Sequence, residues 1–400
     1  MTASRATHDG ATVPPASLRD IAWEWGRLGC IGFGGPPTHI KLLRDLCVDR
    51  RRWVDAGDFE DTVAACNLLP GPASTQLAIF CAWRARGRLG AVVGGIAFIV
   101  PGLIVVIALT ALFLANSPPR WVLGAGAGAG AAVAAVAVRA GTSLLPASWR
   151  RRRNAVRWTT YLTLGAVSAA VLGPWVVVVL LGCGVAELAL ERFWHADSSS
   201  PGTTSLRSIA ALPLLMSSAV GTGVLASVVW VAFKVGALSY GGGFVIIPLM
   251  QSDAVSHYHW MSSGQFLNVV ALGQITPGPV VQTVAAVGYA AAGIGGALLA
   301  SVVAFGPSFA FVLLGARRFD ALRANPRARA FLTGAGPAAI GAILGSSIPL
   351  TRAISEAWQY GVLAGAAVLL LALRRSVVLT LLCAGAAGTI VALAGGPIPH

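Results

Sequence analysis

Apolar runs separated by short, mostly basic stretches set the pattern of this chain from residue 89 to its end. The runs fall at 89–115, 121–146, 158–190, 221–249, 295–315, 330–350, 358–373 and 376–394. Most exceed the ~18 apolar residues that mark a spanning helix. The run 158–190 is too long for one crossing and breaks at Gly173-Pro174. Upstream, a glycine-interrupted segment (18–40) leads into a charged loop (41–60) and then an apolar segment (61–83) that contains Pro70-Gly71-Pro72. The same order recurs later: 221–249, loop 250–265, and 266–290 with Pro277-Gly278-Pro279. The strip 209–220 is extra to this count. The pattern predicts an all-α polytopic membrane protein.

The two Pro-Gly-Pro copies lie 207 residues apart, and the same offset aligns Gly34-Gly35 with Gly241-Gly242, Trp53 with Trp260 and Phe59 with Phe266. Between 29–78 and 236–285, without a gap, 15 of 50 positions are identical. The chain therefore reads as two copies of one unit. The expected organisation is a disordered N-terminus (1–17), a first repeat (18–190), a polar linker (191–208) and a second repeat (209–400).

Charge orients the units. Loop 41–60 carries Lys41, Arg44, Arg50, Arg51 and Arg52, whereas its counterpart 248–267 has no Lys or Arg. Arg84, Arg86 and Arg88 follow the first Pro-Gly-Pro segment, and no Lys or Arg follows the second until Arg317. Cytoplasmic loops retain Lys and Arg, so the repeats are expected to be inverted. Because the first Pro-Gly-Pro segment is basic at both ends, it is expected to dip in and return as a re-entrant hairpin. Each unit then has about five spanning helices plus that hairpin. The rival count, in which the segment spans, leaves one basic flank outside.

Composition narrows the classes. The chain is 56% hydrophobic and 11% charged, against about 25% charged in soluble domains. Its net charge of +14 sits in loops between apolar runs, so retention and anionic headgroups account for it and nucleic acid does not. The six cysteines have no CxxC spacing and read as small hydrophobes. The run Gly124 to Gly130, alternating with alanine, reads as close helix packing. No metal or cofactor site is expected. An intramembrane enzyme needs paired acids or a nucleophile with its base inside the spans, and neither is visible.

Chemistry concentrates at the breaks. Proline ends a helix and suits the start of the next, so the amides at 74–76 and 281–283 should project from helix N-termini, which favour oxyanions. Broken backbone in lipid is tolerated where it lines a cavity or is buried in protein. The candidate substrate-binding set is Gly71, Gly278 and the nearby donors Asn67, Ser74, Thr75, Gln76, Gln274, Thr276 and Gln282, with Thr283. Gly34, Gly35, Gly241 and Gly242 offer close backbone approach, or simply helix packing. The offset also pairs Arg27 with Lys234, charges among apolar residues that could serve an anion or snorkel to an interface.

The combination Phe33-Gly34-Gly35-Pro36, Arg50-Arg51-Arg52-Trp53 and the two Pro-Gly-Pro breaks resembles the bidomain chromate ion transporter (CHR) family over nearly the whole chain. The second glycine motif is altered to Tyr240-Gly241-Gly242-Gly243, and Ala73 stands where many members of that family carry Glu. The resemblance implies a secondary transporter of the inner membrane that exports chromate, driven by membrane potential or proton gradient, and so confers chromate resistance. The expected partners are chromate or a sulfate-like oxyanion, the lipid bilayer, and a second copy of the chain as a homodimer. The alternatives are uptake or exchange of sulfate or another anion, and an anion channel.

Overall fold

The computed structural model describes residues 16–66, 71–115, 117–172, 175–196, 223–239, 246–315 and 325–399. Every regular element among them is helical. The N-terminal residues 1–15, most of the expected linker, and Asn67, Gly241 and Gly242 lie outside the described residues.

α1 (Leu18–Ile31) starts where the Ser17 side chain accepts from the Asp20 amide. It buries Ile21, Glu24, Trp25, Leu28 and Gly29, a three-and-four spacing that lays one face against the protein. α2 (Pro36–Arg44) follows and runs into a π-helical turn, Asp45–Arg50. α3 (Ala56–Cys66) leads to the first Pro-Gly-Pro, and α4 (Ala73–Phe113) leaves it. α4 is two helices, because Arg86 (φ −148°, ψ 25°) and Gly87 (φ 64°, ψ −152°) break the ladder. A Cβ at Gly94 would strike that of Ala82, so the chain doubles back at the break. It also doubles back at Pro-Gly-Pro: Arg84 meets Asp58 at 3.4 Å, joining the far ends of the two limbs.

The second half repeats this course. α9 (Val224–Leu238), α10 (Ile246–Gln251) with a π-helical turn Ser252–His257, and α11 (Ser263–Ile275) correspond to α1, α2 and α3. A short 3-10 turn, Val280–Gln282, precedes α12 (Thr283–Gly315). α12 breaks at Ala292 (φ −150°, ψ 30°) and Gly293 (φ 61°, ψ −151°), nearly the same angles as α4. Two of the three non-glycine residues with positive φ among the described residues also correspond, Arg52 with His259, both at 52°.

The remaining helices are α5 (Arg120–Ala131), α6 (Val133–Arg150), α7 (Ala155–Val167) and α8 (Val176–Ala196) in the first half. Their counterparts are α13 (Pro326–Gly345), α14 (Ser347–Arg352), α15 (Ala357–Ala367) and α16 (Val377–Leu393). They pack across the halves, α5 on α16 and α13 on α7 and α8. The alternating Gly-Ala run makes this possible: a Cβ at Gly124 or Gly128 would collide with α16 backbone at Gly388 or Ala384. Gly165 on α7 meets the backbone of Ala338 in the same way. Without a hydrophobic force between helices in lipid, such close contact supplies the packing.

The outer surface is apolar. Ile96, Val100 and Ile104 on α4, and Ile294, Leu298 and Val302 on α12, are exposed at four-residue spacing. Stripes of that kind suit acyl chains and not water. The protein is an all-α multi-pass membrane protein.

Candidate functional site

The two Pro-Gly-Pro glycines have positive φ, 117° at Gly71 and 93° at Gly278, where a side chain would be strained. Each donates its N–H across to the other half. Gly71 N–H bonds to Ser239 O at 2.8 Å, and Gly278 N–H bonds to Gly32 O at 3.0 Å. Gly32 and Ser239 are themselves 207 residues apart and end α1 and α9. The bonds are therefore exchanged, as at a two-fold axis.

A further repeated feature frames each break. Pro101 and Pro307 sit inside α4 and α12, where proline removes a helix hydrogen bond and frees a carbonyl. Gly29 lets α1 lie against the carbonyls of Ala97 and Phe98, and Gly236 lets α9 lie against that of Ala304. The residues just after these prolines, Gly102 and Ser308, pack onto the opposite break. A Cβ on Gly102 would strike Pro277 O, and one on Gly71 would lie 3.4 Å from Ser308 Oγ. Gln282 Nε2 donates to Ile99 O, tying the second break to α4.

The helix starts are narrower than the sequence implies. Thr75 and Gln76 donate their N–H groups to Pro72 O at 2.9 and 3.0 Å, and Gln282 donates to Pro279 O at 2.9 Å. The prolines are the caps, not the first helical residues, so their carbonyls take up those amides. The amides ahead of the first intrahelical bond are those of Ala73 and Ser74, and of Val280 and Val281.

Polar side chains at the breaks are buried, and several lack partners. Thr75 Oγ1, Ser239 Oγ, Ser308 Oγ and Gln274 Nε2 are inaccessible donors with no hydrogen bond, and Gln282 Oε1 is an acceptor in the same state. Each such group costs about 1–3 kcal/mol if left unmatched. Ser239, Ser308 and Gly71 form one cluster, which the Gln76 amide also approaches. Gly278 has no such hydroxyls, because Gly32 and Gly102 occupy the equivalent places. Ser74 and Thr276 are buried, with Thr276 donating to Gly273 O. Gly35 packs near Val280 of the second break, while Gly34 is exposed.

Among the described residues, neither paired cation hydrogen-bonds to these groups. Arg27 lies on the exposed face of α1. Lys234 Nζ is 2.6 Å from Asp253 Oδ2, with side chains only 12% and 9% exposed, and lies over the Trp230 ring. Sequence reasoning passed over His39, Ser239, Ser308 and the Pro101/Pro307 pair. His39 donates from Nε2 to Gly32 O at 2.9 Å, which leaves Nδ1 buried without a partner. The recurrence of Pro101 and Pro307, at an offset of 206, was the available signal.

Comparisons with known proteins fit this two-part architecture. A family model described as chromate transporter matches residues 19–188 and again residues 226–389. A chromate transport protein of Cupriavidus metallidurans is 32% identical over 355 residues, covering 88% of this chain and 86% of its own length. One of Pseudomonas aeruginosa is 31% identical over 86% of this chain and 84% of its own. A probable chromate transport protein of Synechococcus elongatus is 28% identical, over 85% and 86% respectively. No solved structure matches the chain.

Proposed function

The chain belongs to the chromate transporter family, and from that premise we propose that it is a secondary transporter that exports chromate, or a related tetrahedral oxyanion, across the cytoplasmic membrane. The observation that carries this reading is the set of buried, unpaired hydroxyl donors on residues that flank the first Pro-Gly-Pro: Thr75, Ser239 and Ser308. Hydroxyl donors with no protein partner suit an anion that arrives, is bound, and leaves. Ala73 and Ser74 amides at the start of α4 add the partial positive charge of a helix N-terminus.

In this reading the two halves are inverted in the membrane, and the α3–α4 and α11–α12 turns are re-entrant hairpins that meet the glycine motifs of the opposite half. The binding set is Thr75, Ser239, Ser308 and Gln274, with Gly71, Gly278, Gly35, Ser74, Gln76, Thr276 and Gln282 shaping the backbone around it. Asn67, Gly34, Gly241 and Gly242 belong to the same loops. Arg27 and Lys234 act at a distance and not as ligands. Asp253 already neutralises most of the Lys234 charge. Export relies on the membrane potential or proton gradient, confers resistance, and involves no enzymatic step.

Flux of labelled chromate and sulfate into everted vesicles, with and without an uncoupler, tests the reading. Uncoupler-sensitive chromate accumulation is expected; sulfate accumulation alone would reassign the substrate, and absence of flux for both would remove the function. Cysteine labelling at residues 84–88 and 291–296 tests the topology: opposite sides are expected, and labelling from one side would sink the inverted arrangement.

A further inference from the structure

Away from the breaks, α6, α7, α8 and α13 line an open cavity of about 530 Å³. Its rim holds Arg151, Arg152, Arg153, Arg157 and Arg329, against one lining carboxylate, Glu187. Glu187 is already spoken for. It is 2% exposed, pairs with Arg157 at 3.1 Å and accepts from Tyr161 Oη at 3.0 Å. Arg153 pairs with Glu191. Among the described residues, Arg151, Arg152 and Arg329 have no acidic partner. Glu187 and Glu191 offset two of the five guanidinium groups, and the exposed Arg151, Arg152 and Arg329 leave the mouth of the cavity net positive, which favours an anion there.

The cavity is also amphipathic. Below the arginine rim its wall is Leu144, Ala339, Ile340 and Ile343, so it descends from charge into hydrocarbon. Trp158 lines the cavity, Trp149 packs on it edge to face at 4.8 Å, and Arg152 lies 3.6 Å over the Trp149 ring. Tryptophan and arginine together mark the headgroup level of a bilayer. Arginine binds phosphate oxygens in pairs from a rigid fork. A free inorganic ion needs only the rim, whereas a phosphodiester carrying acyl chains uses the rim and the apolar floor.

We propose that this cavity binds a phosphate-type oxyanion group, presented by the headgroup of an anionic membrane lipid. It is separate from the Pro-Gly-Pro breaks, and it does not depend on which anion the protein carries.

The test uses the purified full-length protein in detergent and does not read transport. In one arm, native mass spectrometry measures retention of phosphatidylglycerol against phosphatidylcholine; in the other, calorimetry measures binding of inorganic phosphate alone. Both are repeated for R151Q/R329Q, exposed positions without acidic partners, for the charge-preserving R151K/R329K, and for R352Q, which removes an arginine outside the cavity. Preferential retention of phosphatidylglycerol is expected. R151Q/R329Q should weaken it about tenfold or more, R151K/R329K less, and R352Q not at all. Phosphate alone binding with the same variant dependence would keep the oxyanion site and move its source to solution. Equal retention by wild type and R151Q/R329Q in both arms, with unchanged thermal unfolding, would overturn the site.

Discussion

The two halves share a backbone down to individual dihedral angles but differ in side-chain chemistry at the matching places. In the first half the acid is on the opening helix: Glu24 on α1, with its side chain 7% exposed, is held by Arg50 and Arg51 at 3.2 and 2.7 Å. In the second half the base is on the helix, Lys234 on α9, and the acid, Asp253, is in the π-helical turn. Both pairs clamp an opening helix to the following turn. Polarity is reversed because loop 41–60 is basic while its counterpart has no Lys or Arg. The breaks differ likewise, with glycines around Gly278 where serines surround Gly71. A duplicated fold thus keeps its geometry while the side chains that pack on each break diverge, glycines forming a close joint at Gly278 and serine hydroxyls a polar cradle at Gly71.

The ion pairs offer the sharpest way to break this comparison. Both partners of Lys234–Asp253 are buried, so K234A strands a carboxylate and should cost about 3–5 kcal/mol, with K234A/D253A recovering most of it. Thermal unfolding in detergent measures both; equal loss in the single and double variants would deny the pair its role. Next comes the close joint. A Cβ at Gly32 would fall 2.7 Å from Leu28 O and 2.8 Å from the His39 ring, so G32A should cost about 1–3 kcal/mol.

The polar cradle can be converted to the glycine form. S239G/S308G gives the first break the residues of the second, and should lower oxyanion flux about tenfold or more, the worth of one hydrogen bond to a charged group. The protein should still reach the membrane, and unchanged flux would dissolve the distinction between the breaks. The smallest effect is expected from E24Q. Arg50 and Arg51 are about half exposed (50% and 45%), so water takes over their charge and the loss should stay under about 1 kcal/mol. A loss as large as that of K234A would mean the two clamps are equivalent after all.

The repeat, the breaks and the membrane class were legible because proline, glycine and hydrophobic run length each constrain backbone directly. Gly71 and Gly278 stand out in sequence for the reason they matter in structure: few other residues tolerate their φ. The Gly-Ala run likewise forecast close packing, and it lies against α16. What the sequence concealed was cross-half contact. Nothing in the residues near Gly71 announces that Ser239 supplies its acceptor, or that Ser308 lies beside it. Arg27 and Lys234 illustrate the converse: the offset matches them in sequence, but Arg27 is exposed while Lys234 is largely buried against Asp253, and among the described residues Arg27 has no acidic partner.

The exchanged bonds from Gly71 to Ser239 and from Gly278 to Gly32 also set a timetable. The carbonyl of Gly32 leaves the ribosome about 246 residues before the amide that completes it. For most of synthesis, then, the first half carries an open joint that its own sequence has no means of closing. The joints close late, the first once Ser239 has been made and the second once Gly278 has. The same interlocking means that the halves, made as separate polypeptides in one membrane, should find and complete each other, while either alone stays unfinished.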